Sequence, residues 1–201
     1  MGQEILNTPL TSLPFAAIDF ESAGAAPGET DQPVQVGIVR IERLFSEEIR
    51  TFTSYISCDR PVRWSAARVH GISSDMLADA PAFTSLWPQL KELLSGCVVV
   101  GHNPSTEIRF LKAFPGHGFT PWLDTLALAR QAMPTLTDHS LSSVCNALRI
   151  TPEVERMIPG KRWHDALFDA AGSLTALRAI VLGLDMGQTT LSQIPFALTH
   201  I

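Results

Sequence analysis

The apolar run Phe15-Ala16-Ala17-Ile18 leads directly into Asp19-Phe20-Glu21, and this junction constrains the fold more than any other stretch. A short continuous apolar run suits a strand buried on both faces. Side chains alternate along a strand, so Asp19 and Glu21 leave the same face and converge. Two carboxylates at the end of an apolar strand repel each other and are costly unless solvent or a cation compensates them. Oxygen donors in that arrangement favour a hard ion of the Mg²⁺ or Mn²⁺ kind. An Asp-x-Glu at a strand end equally suits a solvated turn, so the pair takes its meaning from what the rest of the chain brings to it.

Residues 34–41 and 48–56 alternate apolar with polar, the period of strands with one exposed face. Three strands in succession, the first turn rich in Gly, Pro and acid, predict an antiparallel meander. From Ser65 the period lengthens. Short helical pieces around His70 and Met76 precede a helical stripe of Phe83, Leu86, Leu90, Leu93 and Leu94. Residues 97–100 read as a buried strand, after which Gly101-His102-Asn103-Pro104 turns into a helix, Asn103 suiting the N-cap and Pro104 the first position. Residues 123–132, 140–148 and 165–181 predict further helices, the last with Ala166, Ala170, Leu174, Leu177 and Val181 on one stripe. Residues 151–163 carry Pro152, Pro159, Gly160, Lys161 and Arg162 and predict an irregular loop. Strands first, then alternating helices and strands, indicate an α/β domain with a mixed sheet flanked by helices.

A chain of 201 residues with 45% hydrophobic content supports one sizeable core. The expected division is a leader over 1–13, a domain over 14–182 and a tail over 183–201 that docks either on the domain or on a partner. Apolar runs such as 97–100 and 179–184 fall short of the ~20 residues that span a bilayer, so no membrane contact is expected. Residues 1–7 are too polar for a signal peptide, and a cytoplasmic location is expected. Cys58, Cys97 and Cys145 lack metal-ligand spacing and read as reduced, mostly buried small hydrophobes. The net charge of −5 argues against a protein that binds nucleic acid through a broad basic surface. Basic residues still cluster at Arg60, Arg63 and Arg68 and at Lys161 and Arg162.

Two more clusters carry potential chemistry. Glu107 falls in the first turn of the helix after His102-Asn103-Pro104, at a carboxyl end of the sheet where ligands often bind. The helix dipole alone would also favour an acid there, and His102 also suits a structural role. His164 and Asp169 are five apart, about 140° around a helix, so they share a site only if His164 precedes the helix. Asp165 competes for the ligand role but better suits the N-cap.

The order of these clusters, together with Val69-His70-Gly71-Ile72, residues 78–83, 122–130 and 140–145, resembles the DEDDh exonucleases, the superfamily of the proofreading subunit of bacterial replicative polymerases. The resemblance spans about residues 15–181. It implies a ribonuclease H-like fold, two divalent cations held by Asp19, Glu21, Glu107 and Asp169, and His164 as general base. It implies release of 5′-mononucleotides from a single-stranded DNA or RNA 3′ end. It also implies that Phe20, Ser22, Ser65, His70, His102 and Asn103 border the substrate, and that the tail meets a polymerase or another protein. The family has aspartate where this chain has Glu107, and a bulky aromatic where it has Thr106. That departure makes a catalytically weakened module, binding nucleic acid or a polymerase partner, the alternative.

Overall fold

The computed structural model describes residues 2–199. Position 1 of the expected leader, with its signal-peptide reading, and positions 200 and 201 of the expected tail lie outside them. The strands are β1 (Phe15–Ser22), β2 (Pro33–Ile41), β3 (Arg50–Tyr55), β4 (Val98–Gly101), β5 (Trp122–Asp124) and β6 (Leu198–Thr199). The helices are α1 (Gly2–Asn7), α2 (Trp64–His70), α3 (Trp87–Leu94), α4 (Ser105–Leu111), α5 (Thr125–Ala132), α6 (Leu141–Ala147), α7 (Thr151–Met157) and α8 (Ala166–Gly183). One sheet of order β3-β2-β1-β4-β5-β6 forms the spine. The expected meander is there as antiparallel β1, β2 and β3, and β4 and β5 add in parallel to β1.

Alternation along β1 sorts the core. Phe15 and Ala17 face one apolar layer with Val39, Ile41 and the buried residues of α8. Ala16, Ile18 and Phe20 face the other, with Val36, Ile38, Leu90 and Phe110. Asp19 and Glu21 continue the first row, so period two puts them on the side of the sheet that α8 covers. By length and mean hydropathy (1.4) α8 could cross a membrane, but 72% of it is buried inside the fold. Apolar residues surround it on all sides because α5, α6 and α7 cover the face turned from the sheet.

Several elements differ from expectation. Residues 122–124 form strand β5, so the helix expected from Leu123 begins at Thr125, with the Asp124 side chain accepting from the Leu126 amide as its cap. The expected loop 151–163 contains α7, which Pro152 opens from a first-turn position. The stripe 83–94 is a 3₁₀ turn followed by α3 rather than one continuous helix. Asn103 does not cap α4, which is capped at Pro104. Residues 184–199 pack on the domain: Leu191, Ile194 and Ala197 are buried in the α8 layer, β6 pairs with β5, and Pro9 bridges to Thr190. Cys97 and Cys145 are buried and Cys58 is half-buried, all as free thiols.

Candidate active site

β1 outruns its neighbour. β4 pairs with it only from Phe15 to Ala17, so beyond Ala17 that edge of β1 has no strand partner, while β2 still pairs along the other edge. The Glu107 carboxylate, carried in by α4, approaches the main-chain amide of Phe20 there, which pulls its pKa down. Glu107 is 6% exposed, one of the few charged or polar side chains buried among the described residues. The ring of Phe20 points the other way and packs edge-on against Phe83 and Phe110. Phe20 therefore offers the site its backbone rather than its side chain.

The N-terminus of α8 supplies the opposite wall, and β2 sets how closely it approaches. Gly37 lies across from Asp19 and Gln35 across from Glu21. A Cβ on Gly37 would fall 2.1 Å from the Leu167 nitrogen, so only glycine admits the helix end to this contact. Gln35, 3% exposed, then fastens it: Nε2 donates to Asp165 Oδ2 (3.1 Å), and Oε1 accepts from the Ala166 amide (3.1 Å). Asp165 caps α8 through the Leu167 amide (3.1 Å) and pairs with Lys161 Nζ (2.8 Å). Its carboxylate is thus occupied as a cap, the competing role weighed above.

His164 lies before the helix, as sharing a site with Asp169 demands. Its backbone is left-handed (φ 67°), and its amide donates to both Asp169 carboxylate oxygens at 3.3 Å each. This turn brings the exposed imidazole back over the cleft. Glu21, His164 and Asp169 each offer a donor atom, and these atoms lie within 4.8 Å of one another.

The electrostatics show what the cluster lacks. Burial raises the Asp19 carboxyl well above its ordinary value, and repulsion from Glu107, Asp169, Glu21 and Asp165 adds to it. Glu21 is pushed up to about 8 by burial and then by Asp169, Asp165 and Glu107. Burial lifts Glu107 and Asp169 each to about 7, against the main-chain amides that pull them down. Among the described residues none of the four forms an ion pair. Crowded oxygen donors without a cationic partner, plus one imidazole, fit a hard divalent cation.

The remaining sequence-derived residues divide by geometry. His70 reaches the site: its Nε2 donates to the Ser22 carbonyl (3.1 Å), while Nδ1 accepts from the Ile72 amide (3.0 Å). Burial lowers its pKa. His102 is held the same way, Nε2 on the His139 carbonyl (2.8 Å) and Nδ1 on the Thr125 hydroxyl (3.0 Å). Both rings therefore brace loops and have no free nitrogen for a ligand. Asn103 is exposed with φ 62°, its amide held by Asp124 Oδ1 (2.9 Å), and Ser65 is exposed on α2. Gln35 and Gly37 went unnoticed in the sequence. Their signal was a glycine two residues after a glutamine inside an otherwise apolar strand.

Residues 16–177 match the model of an exonuclease family, RNase_T. The chain belongs to this family. A DNA polymerase III subunit epsilon-like protein of Rhodobacter capsulatus is 30% identical over 184 residues, covering 90% of this chain and 25% of that protein. The DNA polymerase III subunit epsilon of Rickettsia felis is 26% identical over 172 residues, 81% of this chain and 71% of its own. The chain thus spans about a quarter of the first relative's length. Among solved structures, exonuclease X in complex with 5′-overhanging duplex DNA superposes with a TM-score of 0.67 at 24% identity, covering 90% of this chain and 98% of that one. The nuclease domain of 3′hExo, a DEDDh family member bound to rAMP, gives 0.65 at 18% identity over 87% and 94% of the two chains. The fold is the ribonuclease H-like fold of these exonucleases.

Proposed function

We propose that this family member is a metal-dependent 3′→5′ exonuclease that releases 5′-mononucleotides from single-stranded DNA or RNA ends. The observation that carries the reading is the convergence of Asp19, Glu21, Glu107 and Asp169, Glu107 buried and the other three half-buried, with no ion pair to any of them among the described residues, beside the imidazole of His164. Asp19, Glu21, Glu107 and Asp169 would hold two divalent cations, Mg²⁺ or Mn²⁺. Bound there, the metals supply charge neutralisation at the scissile phosphate and an acidified water.

The chain's own groups do the rest. His164 takes the proton of the attacking water, the task for which an imidazole suits neutral pH. The His164 amide on Asp169 ties the base to a carboxylate wall, so both move as one unit. Ser22, its carbonyl fixed by His70, and the Phe20 backbone form the floor against which the terminal nucleotide rests. The relatives named as polymerase subunits support a polymerase as the protein partner. Packing of residues 184–199 on the domain leaves Leu184 and Phe196, each 52% exposed, as the large apolar side chains there that a partner would meet.

Digestion of a 3′-labelled oligonucleotide with Mg²⁺ or Mn²⁺ tests the reading. Labelled 5′-mononucleotide should be released, and Asp19→Ala or Asp169→Ala should abolish the release. Absence of release, or release indifferent to both changes, would end this assignment. The weakened-module alternative rests on Glu107 and Thr106; of the two, Glu107 is the candidate ligand. Its longer side chain approaches the Phe20 amide rather than lying loose in the cleft, which favours an active enzyme.

A further inference from the structure

We infer that the exposed face of α2 carries the polynucleotide strand into the cleft, Trp64 stacking on a base and Arg63 and Arg68 meeting phosphates. This deepens the exonuclease reading and rests on it. Trp64 is 73% exposed, the most exposed aromatic among the described residues, and the Arg68 guanidinium lies 4.6 Å over its ring. An indole normally gains from burial. Here it is held on the surface by a cation, a geometry that presents one flat face to a π-system. Arg63 and Arg68, both exposed, form no ion pair among the described residues, as is true of most of the chain's Lys and Arg side chains, and so remain available to phosphate. In a chain of net charge −5 with four crowded carboxylates in its cleft, unpaired cations beside that cleft answer a polyanion's need.

Position argues for the same use. α2 is fastened at both ends to the residues just past Glu21: the Arg63 amide donates to the Ala23 carbonyl (2.9 Å), and His70 Nε2 to the Ser22 carbonyl (3.1 Å). The helix is about 10 Å long, so Trp64 and His70 at its two ends are spaced by about three nucleotides at the ~3.4 Å rise of a stacked strand. At the His70 end of the helix a cavity of about 340 Å³ is lined by His70, Lys161, Arg162 and His164.

The test compares the parent protein with Trp64→Ala, Trp64→Phe and Arg68→Ala, using oligothymidylates of two and ten residues. With Mg²⁺, Trp64→Ala should raise KM for the ten-mer roughly 5- to 100-fold, the range of one base stacked on one ring. The KM for the dinucleotide should move less than about twofold, and Trp64→Phe should recover most of the loss. Arg68→Ala should flatten the salt dependence of ten-mer binding by about 0.7 unit of slope. Anisotropy of a labelled ten-mer in EDTA reads binding without turnover. If the parent cleaves nothing, the exonuclease reading fails while this measurement still decides the platform. Equal binding by parent and Trp64→Ala, or equal loss on both chain lengths, overturns the inference and leaves Trp64 to a protein partner. No binding by the parent overturns it as well.

Discussion

Gln35 and Asp165 lie 130 positions apart in the chain and are joined by a hydrogen bond of 3.1 Å that holds the N-terminus of the central helix against the second strand. The same glutamine accepts from the buried Ala166 amide. Gln35→Met keeps the bulk and removes both contacts. It should cost about 1–3 kcal/mol of stability by stranding a buried donor. Displacement of His164 and Asp169 by ~1 Å should lower kcat on the order of 100-fold with little change in KM. Urea unfolding and steady-state kinetics on one preparation would check both, and an unchanged kcat would show that the brace serves folding alone.

Gly37 makes a sharper test because its constraint is purely spatial. With the Leu167 nitrogen 2.1 Å from where a Cβ would sit, Gly37→Ala must push α8 outward. Overpacking of this kind costs typically about 1–3 kcal/mol. Nuclease activity should fall further than stability, because the helix end carries Asp169. Thermal unfolding and nucleotide release measured together would show the difference.

Which of these features the sequence revealed follows from the range over which each is determined. Alternation in β1 to β3 and the position of Asp19 and Glu21 are local and could be read. So could the need for His164 to precede its helix, which is a matter of rotation per residue. β5 escaped because three residues of strand run without a break into a helix that shares their apolar pattern. α7 escaped because its prolines suggested a loop, although one of them opens the helix. The Gln35 brace and the Phe20 amide under Glu107 escaped for a different reason. Each joins distant segments, and neither partner shows an unusual local pattern.

Proton linkage predicts how the metal-free protein responds to pH. Glu21, Glu107 and Asp169 bind protons more tightly when folded, with values of about 8, 7 and 7. Their contribution is fully present below the ordinary carboxylate range and is lost as pH rises through those values. His70 and His102, lowered by burial, act in the opposite direction, but only below ~6.5. Between pH 6.5 and 8, therefore, Tm in EDTA should fall, and the fall should shrink in Glu21→Gln. Mg²⁺ or Mn²⁺ should raise Tm most at the alkaline end. A flat profile in EDTA would mean that these carboxylates are not desolvated as the fold suggests.

Glu107→Asp removes one methylene from a carboxylate that reaches the Phe20 amide. Shortening the side chain should break that contact and lower kcat about tenfold or more, given the rate cost of ~1 Å misplacements. A faster variant would instead mark the parent as the weakened module. Nucleotide release at saturating Mn²⁺, with thermal unfolding to confirm folding, separates the two.

α8 is buried on nearly all sides, so greasiness alone does not determine how far the helix is rotated about its own axis. Its first turn helps select one rotation, through the Asp165 cap, the Gln35 clasp and the seat on Gly37, and Arg178 further along holds the same rotation on the Leu44 and Ser46 carbonyls. The contacts that aim Asp169 into the cleft are therefore also among those that tell the core which way to lock. In this chain evolution is not free to retune the cleft at that end without reindexing the helix at the centre of the fold.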